Sequence, residues 1–467
     1  MKRLLIILLV LLINTPVFAG SVQQKHLAVI AAGGVEEEES SQFVFDVTVT
    51  EGDLDFTFPT IDDGTYDCNV DWGDSTDDDI TEHDDDAWTH SYSSADTYTI
   101  TITGTCYGMR FNNGGDKLKI VDVSDWGPGV FRLGATIGGH FYGCSNMTTS
   151  ATNGPDATGV TDMRSMFSNC SSADPDVSGF DTSSVTDMRN MFNGCSSADH
   201  DVSGFDTSSV TSMNSIFKNC SSADPDVSGF DTSSVTDMSN MFNGCSSADP
   251  DVSGFDTSSV ADMGSMFSNC SSADPDVSGF DTSSVTSMGF MFYGCSSADP
   301  DVSGFDTSSV TYMRNMFNGC SSADPDVSGF DTSSVANMGY MFNGCSSADP
   351  DVSGFDTSSV TDMSNMFYTS GWGDEHYSKA LVAWSQQSSL PSGNFHSGTA
   401  KYFLGASTTA KEILDTSLGT MSDGGQHTYL TYPSMIEYIK PLVSDVKPRI
   451  ARLITHNLFI APDCIPQ

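Results

Sequence analysis

Residues Cys220–Gly244 read CSSADPDVSGFDTSSVTDMSNMFNG, and close copies of this string open at Cys170, Cys195, Cys220, Cys245, Cys270, Cys295, Cys320 and Cys345. A fixed period of this size is the signature of a solenoid, because one turn cannot bury its own apolar side and must stack on the next. Near-identical turns give a long, uniform surface. A catalytic pocket needs unlike groups converging on one point, so the pattern points away from an enzyme and toward a surface or binding protein.

Within the Cys220 unit the apolar positions are Ala223, Val227, Phe230, Val235, Met238, Met241 and Phe242. Asp226-Val227-Ser228, polar on either side of one valine, predicts a brief strand. The spacing of Val235, Met238, Met241 and Phe242 predicts a tight helical or 3₁₀ turn. Gly229 and Gly244 supply bends. Stacked at a parallel-strand spacing of ~4.8 Å, identical residues would form core ladders of Met, Phe and Cys.

Outward from the repeats, the chain changes character. Lys2-Arg3, the apolar run Leu4 to Ile13 and Val17-Phe18-Ala19 have the order of a secretory signal peptide, cleaved after Ala19. That run is shorter than the ~20 residues a membrane span needs. The expectation is an exported protein, extracellular or on the cell surface, with no transmembrane segment in the mature chain. Residues 20–40 read as a flexible acidic lead-in. Phe43–Val49 and Tyr98–Thr103 alternate apolar and polar residues, as half-buried strands do, and predict a β-sandwich over 41–104. Residues 105–143 form a transition and N-terminal solenoid cap, 144–370 the solenoid and 371–425 a C-terminal capping module. The basic tail 426–467, interrupted by Pro441 and Pro448, is unassigned.

Two resemblances sharpen this outline. Val70-Asp71-Trp72-Gly73-Asp74, His90-Ser91-Tyr92 and Asp96-Thr97-Tyr98 resemble the polycystic-kidney-disease (PKD) type of immunoglobulin-like β-sandwich, although Ser75 and Asp96 stand where that family usually has Gly. Such domains are generally spacers or adhesion modules. The repeats resemble BspA-type leucine-rich-repeat surface proteins, in the variant D-x-S-x-W-D-T-S-x-V-T-x-M-x-x-M-F. Asp226, Ser228, Asp231-Thr232-Ser233, Val235-Thr236, Met238 and Met241-Phe242 fall on that pattern, and Phe230 replaces its Trp. Tyr377–Trp384, Ala400-Lys401-Tyr402, Ala410–Leu414 and Ser422–Gly425 are similar to its closing module. The resemblance implies a mainly β protein with short helical turns: a β-sandwich, then a leucine-rich-repeat-like solenoid, then a small α-containing cap. It also implies attachment to a host or matrix protein or glycan.

The net charge is −44, and the eight units carry 28 Asp against three bases, Arg189, Lys218 and Arg314. Such a field repels nucleic-acid phosphates and anionic lipid. The candidate site residues are the stacked pairs Asp224/Asp226, Asp249/Asp251, Asp274/Asp276, Asp299/Asp301 and Asp324/Asp326. Residues two apart on an extended chain share a face, and calcium, ligated by oxygens at about 2.3–2.6 Å, could bridge them. The alternative for these pairs is a solvated acidic face. The acidic loops Asp74–Asp79 and Asp84–Asp86 invite the same two readings. The ladder cysteines read as reduced core thiols, because parallel Cβ vectors orient stacked sulfurs poorly for bridging. Cys68 and Cys106, each near a sandwich strand, are the candidate disulfide. No nucleophile–base pair, phosphate loop or zinc motif stands out, so no catalytic residue is expected. The function expected is adhesion or protein/glycan binding along a repetitive acidic face, with calcium as the one conceivable cofactor. The alternatives are a passive structural spacer and an ice- or water-ordering surface built on Thr232-Ser233-Ser234.

Overall fold

The computed structural model describes residues 42–196, 201–387, 395–402, 406–415 and 421–423. The segments expected to be a signal peptide, a lead-in and a tail fall outside them. The described chain is mainly β with few short helices.

Period-two apolar residues build the first layer. In β1 (Gln42–Thr48) Phe43, Phe45 and Val47 alternate inward, and β1 pairs antiparallel with β6 (Thr97–Tyr107). β6 also pairs with β3 (Thr65–Asp71), which holds β4 (Asp77–Ile80). β2 (Asp55–Thr57) pairs antiparallel with β5 (Thr89–Ser91) in a second, smaller sheet. Phe56 and Phe58 lie 6.1 and 6.0 Å from the Phe45 ring, so this side closes the core of the sandwich. The sheet runs on past Gly104. β7 (Ile120–Trp126) adds to the free edge of β1, with Ile120, Val123 and Trp126 buried, and β9 (Thr148–Thr149) follows parallel. β8 (Phe131–Arg132) pairs parallel with β6. Part of the predicted transition segment is therefore sandwich, because its apolar residues complete that core.

The tryptophan turn draws its motif residues together. Trp72 is buried and stacks on His90 at 4.9 Å, Asp74 Oδ2 lies 2.9 Å from His90 Nε2, and the Tyr92 hydroxyl donates to the Trp72 carbonyl. Gly73, at φ +79°, sits so close to the Thr99 carbonyl that any Cβ would meet it at 2.4 Å.

Each solenoid coil is a chain of turns. Alternate amides reach the neighbouring coils: Met238 to the Asp262 carbonyl, Asn240 to Gly264, Phe242 to Met266 and Gly244 to Ser268. The intervening amides close local turns, Met241 to Met238 and Asn243 to Asn240. The helical or 3₁₀ turn expected over Val235–Phe242 does not form as such: Val235–Met238 is extended and carries the bridge at Asp237, and turns follow over Ser239–Gly244, bent by a left-handed residue at Asn240, φ +57°. The strand expected at Asp226–Ser228 does not form. Pro225 lacks an amide hydrogen and the Ser228 amide is taken by Asp226 Oδ1. The parallel bridges between coils fall instead on residues 162, 187, 212, 237, 262, 287, 312, 337 and 362.

Inside, Phe141, Phe167 and their counterparts to Phe367 stack at 5.2–6.0 Å with planes within 10°. Trp126 of β7 closes the first end of this ladder, 5.3 Å from Phe141, and Trp372 closes the other, 3.6 Å from Phe367. α1 (Asp374–Trp384) covers the last coil with Tyr377, Leu381 and Trp384, and packs on α2 (Ala406–Asp415). The two short strands β10 (Phe395–His396) and β11 (Met421–Ser422) complete the cap.

Candidate functional site

The aspartate pairs alternate outward around a buried proline, as the spacing predicted, but one oxygen of each carboxylate, Oδ1, is tied up within the protein. Asp224 Oδ1 accepts the Asp249 amide at 3.0 Å, and Asp249, Asp274, Asp299 and Asp324 do the same for the next coil at 2.7–2.9 Å. The second aspartate turns back on its own loop. Asp251 Oδ1 accepts the Ser253 hydroxyl at 2.6 Å and its amide at 3.1 Å, and Asp226, Asp276 and Asp301 are bound identically. Asp326 accepts the Ser328 amide at 3.0 Å. These serine donors hold the carboxyls of Asp251, Asp276, Asp301 and Asp326 below the usual carboxylate range. Asp231 and Ser233 repeat the device. Among the described residues, no three His, Cys, Asp or Glu side chains gather as a metal would require. The acidic loops of the sandwich are likewise engaged. Asp74 binds Thr76 and His90, Asp85 caps the Ala87 amide, and Asp77 and Asp79 accept from Asn69.

The other ladders are interior. Cys245 Sγ donates to the Phe217 carbonyl at 2.9 Å, and each coil from Cys170 to Cys345 repeats this contact. Burial pushes these thiols up, Cys295 and Cys345 to about 12. Thr232 is buried and its hydroxyl donates to the Asp256 carbonyl at 2.9 Å. Of the Thr232-Ser233-Ser234 ladder, the threonine hydroxyl is therefore withdrawn from solvent, while Ser233 and Ser234 stay exposed. Cys68 and Cys106 lie diagonally on β3 and β6, since Cys68 faces Gly104 and Tyr66 faces Cys106. They are unbridged in this structure, and both are buried.

The repeats differ from one another on one face only. The first sixteen residues of all eight units are identical except His200, which stands where the others have Pro. Substitutions concentrate at the bridge position and at the residues two, three and six further on. In successive coils the bridge position holds Asp187, Ser212, Asp237, Asp262, Ser287, Tyr312, Asn337 and Asp362. Stacking aligns these positions into one stripe of half-buried side chains, with Ser215, Ser239, Ser268 and Asn315 buried in it, flanked by invariant core residues such as Met238 and Phe242.

The two ends of this stripe differ in chemistry. Toward the C-terminal end it carries Phe290, Tyr293, Tyr312, Arg314, Tyr340 and Tyr368. The Arg314 guanidinium lies 4.9 Å over the Tyr340 ring and 2.8 Å from Asp362. Tyr312 covers Gly289, where an added Cβ would strike its ring at 2.3 Å. Phe290 and Tyr340 both sit at φ +60°, where the other coils place Asn or Ser. At the N-terminal end Arg164 and Arg189 join Arg110 around a cleft of about 350 Å³.

The family described as "Mycoplasma protein of unknown function, DUF285" matches residues 136–246, 211–326 and 295–390, together more than half of the chain. The chain belongs to this family. No curated protein and no solved structure matches it. The DUF285 stretches cover the solenoid and α1, so the membership rests on the repeats. The sandwich lies before the first matched residue.

Sequence reasoning placed the aspartates outward, and it missed both their internal bonding and the stripe. The signal for the stripe lies in the repeats themselves: polar positions are frozen on the fully exposed side of the coil and vary on the more buried one. The bonding explains the freezing, because Asp249 and Asp251 each hold a backbone amide in place and the Ser253 hydroxyl donates to Asp251. No helix among the described residues is long and apolar enough to cross a membrane.

Proposed function

We propose that this DUF285 protein is an exported, non-enzymatic surface protein that attaches to its partner through the variable stripe. The backbone of Phe290 and Tyr340 carries the reading. An L-residue in the left-handed region costs ~1–2 kcal/mol, and Asn tolerates it far better than an aromatic does. Strain retained on a partly exposed surface is characteristic of binding positions. The filling of the stripe supports it: beside the aspartates of the bridge position it holds Asn, Ser, Gly and Tyr with occasional Arg, residue types that adaptable paratopes favour. Repetition adds avidity, since a partner with repeated epitopes meets several coils at once.

The acidic face then keeps the rod soluble and repels anionic surfaces. The leader sequence supports export, and the motif cluster around Trp72 supports reading residues 42–126 as a PKD-like spacer. Export also predicts a Cys68–Cys106 bridge in the mature protein, read by intact mass with and without reductant. The function is tested by binding of the full chain to arrayed matrix proteins and glycans. Wild type is compared with a Phe290→Asn, Tyr340→Asn, Tyr368→Asn variant and with an Asp251→Asn, Asp276→Asn variant. Loss of attachment in the first and its retention in the second is the expected result. Equal attachment by wild type and the aromatic variant would sink the reading.

A further inference from the structure

We infer that the cleft between the N-terminal cap and the first coils binds the acidic residue of a saccharide, a carboxylate or sulfate ester on a hydroxylated ring. This rests on the reading of the stripe as the binding face and names a ligand class for one end of it. In a chain of net charge −44, three guanidinium groups converge here. Arg164 donates through Nε and Nη2 to Asp162, and Arg189 makes the same pair of bonds to Asp187. Arg110 Nε donates to the Gly138 carbonyl at 2.7 Å and its Nη2 to Asn112 Oδ1 at 3.2 Å. Each group is thus fixed in orientation, and three cations face two carboxylates. An anion entering meets donors already ordered, which lowers the entropic cost of binding.

The repeats supply the control for a purely structural role. Asp237 and Asp262 are bridge neighbours just as Asp162 and Asp187 are, yet their coils carry Ser239 and Gly264 where the arginines would stand. The array therefore stacks adjacent aspartates without guanidinium groups, and Arg164 and Arg189 are additions to the scaffold. The rest of the lining selects the ligand. Asn112, Asn190 and Asn214 offer paired donors and acceptors suited to hydroxyl groups, and no aliphatic side chain lines the cleft. The volume, about 350 Å³, lies at the small end of ligand sites and suits one or two sugar rings.

The test is isothermal titration of the full chain at low ionic strength with three probes. They are a glucuronic-acid-containing disaccharide, the same disaccharide with its carboxyl reduced to the alcohol, and sodium sulfate. The acidic disaccharide is expected to bind, the neutral one to give no heat, and sulfate to bind more weakly. Arg164→Ser with Arg189→Ser installs what later coils already carry, so the variant folds. It should weaken the acidic disaccharide by about tenfold or more with an unchanged melting curve. Absence of heat, equal binding of the neutral probe, sulfate binding as tightly as the sugar, or an unaffected double variant each overturns the inference. If the disaccharide fails while the Phe290/Tyr340/Tyr368 variant still loses attachment, this assignment alone falls. If that variant attaches normally, the wider reading falls with it.

Discussion

Replacing Phe290 by Asn, the residue that coils such as those of Asn240 and Asn315 carry at the same place, should leave the stability nearly unchanged although an aromatic ring is lost. Phe290 holds φ +60°, which costs an ordinary side chain ~1–2 kcal/mol. Asn recovers a large part of this through its tolerance of the left-handed region. Against that stands the loss of one tilted ring contact with Tyr293 at 5.8 Å, worth ~0.5 kcal/mol at a partly exposed site. The ring's partial burial adds a loss of about 1 kcal/mol, so the net lies close to zero, about −0.5 kcal/mol at most. Solenoids unfold as coupled coils and depart from two-state behaviour, so the quantity to compare is the urea midpoint by far-ultraviolet circular dichroism. A midpoint lowered by the equivalent of more than about 1 kcal/mol, within the usual range for lost packing, would refute the reasoning. It would mean that Phe290 packs as core and that its strain serves the fold.

Three further outcomes follow from the same structure. Phe267→Ala removes a ring stacked on Phe242 and Phe292 at 5.8 and 5.7 Å and should cost about 3–5 kcal/mol; a loss below about 1 kcal/mol in the urea midpoint would deny the ladder its structural role. Burial holds neutral His140 at about 4. Below about pH 6.5 the unfolded chain takes a proton that the folded one refuses, so stability should fall by at most about 3 kcal/mol on the way down to pH 4 and then level off. His140→Gln should abolish that slope, and an identical slope in the variant would assign it elsewhere. Millimolar calcium should raise the melting temperature no more than magnesium at equal concentration, because Asp224 and Asp226 already spend oxygens on backbone and serine donors; a calcium-specific rise would restore the cation grid.

How much of this was legible before folding varies by residue. The core positions Val227, Phe230, Val235, Met238, Met241 and Phe242 are all buried as their recurrence required. The expected strand at Val227 failed because Pro225 removes a donor and Asp226 takes the next amide, a competition between side chain and backbone that apolar spacing does not register. For the same reason the aspartates looked like a free acidic grid. Their alternation with Pro225 and Val227 set the direction in which they point, and the loop geometry set what their oxygens hold.

The chain by itself determined that the turns repeat, which residues they bury and that their outer side is acidic, since period and apolarity are properties of order along the sequence. Only the tertiary structure decided which exposed residues are fastened and which are open. A hydrogen bond such as Asp224 to the Asp249 amide joins groups 25 residues apart, which stacking alone brings to 3.0 Å. Stacking likewise turned scattered substitutions into one stripe and carried Arg110, Arg164 and Arg189 to a single cleft.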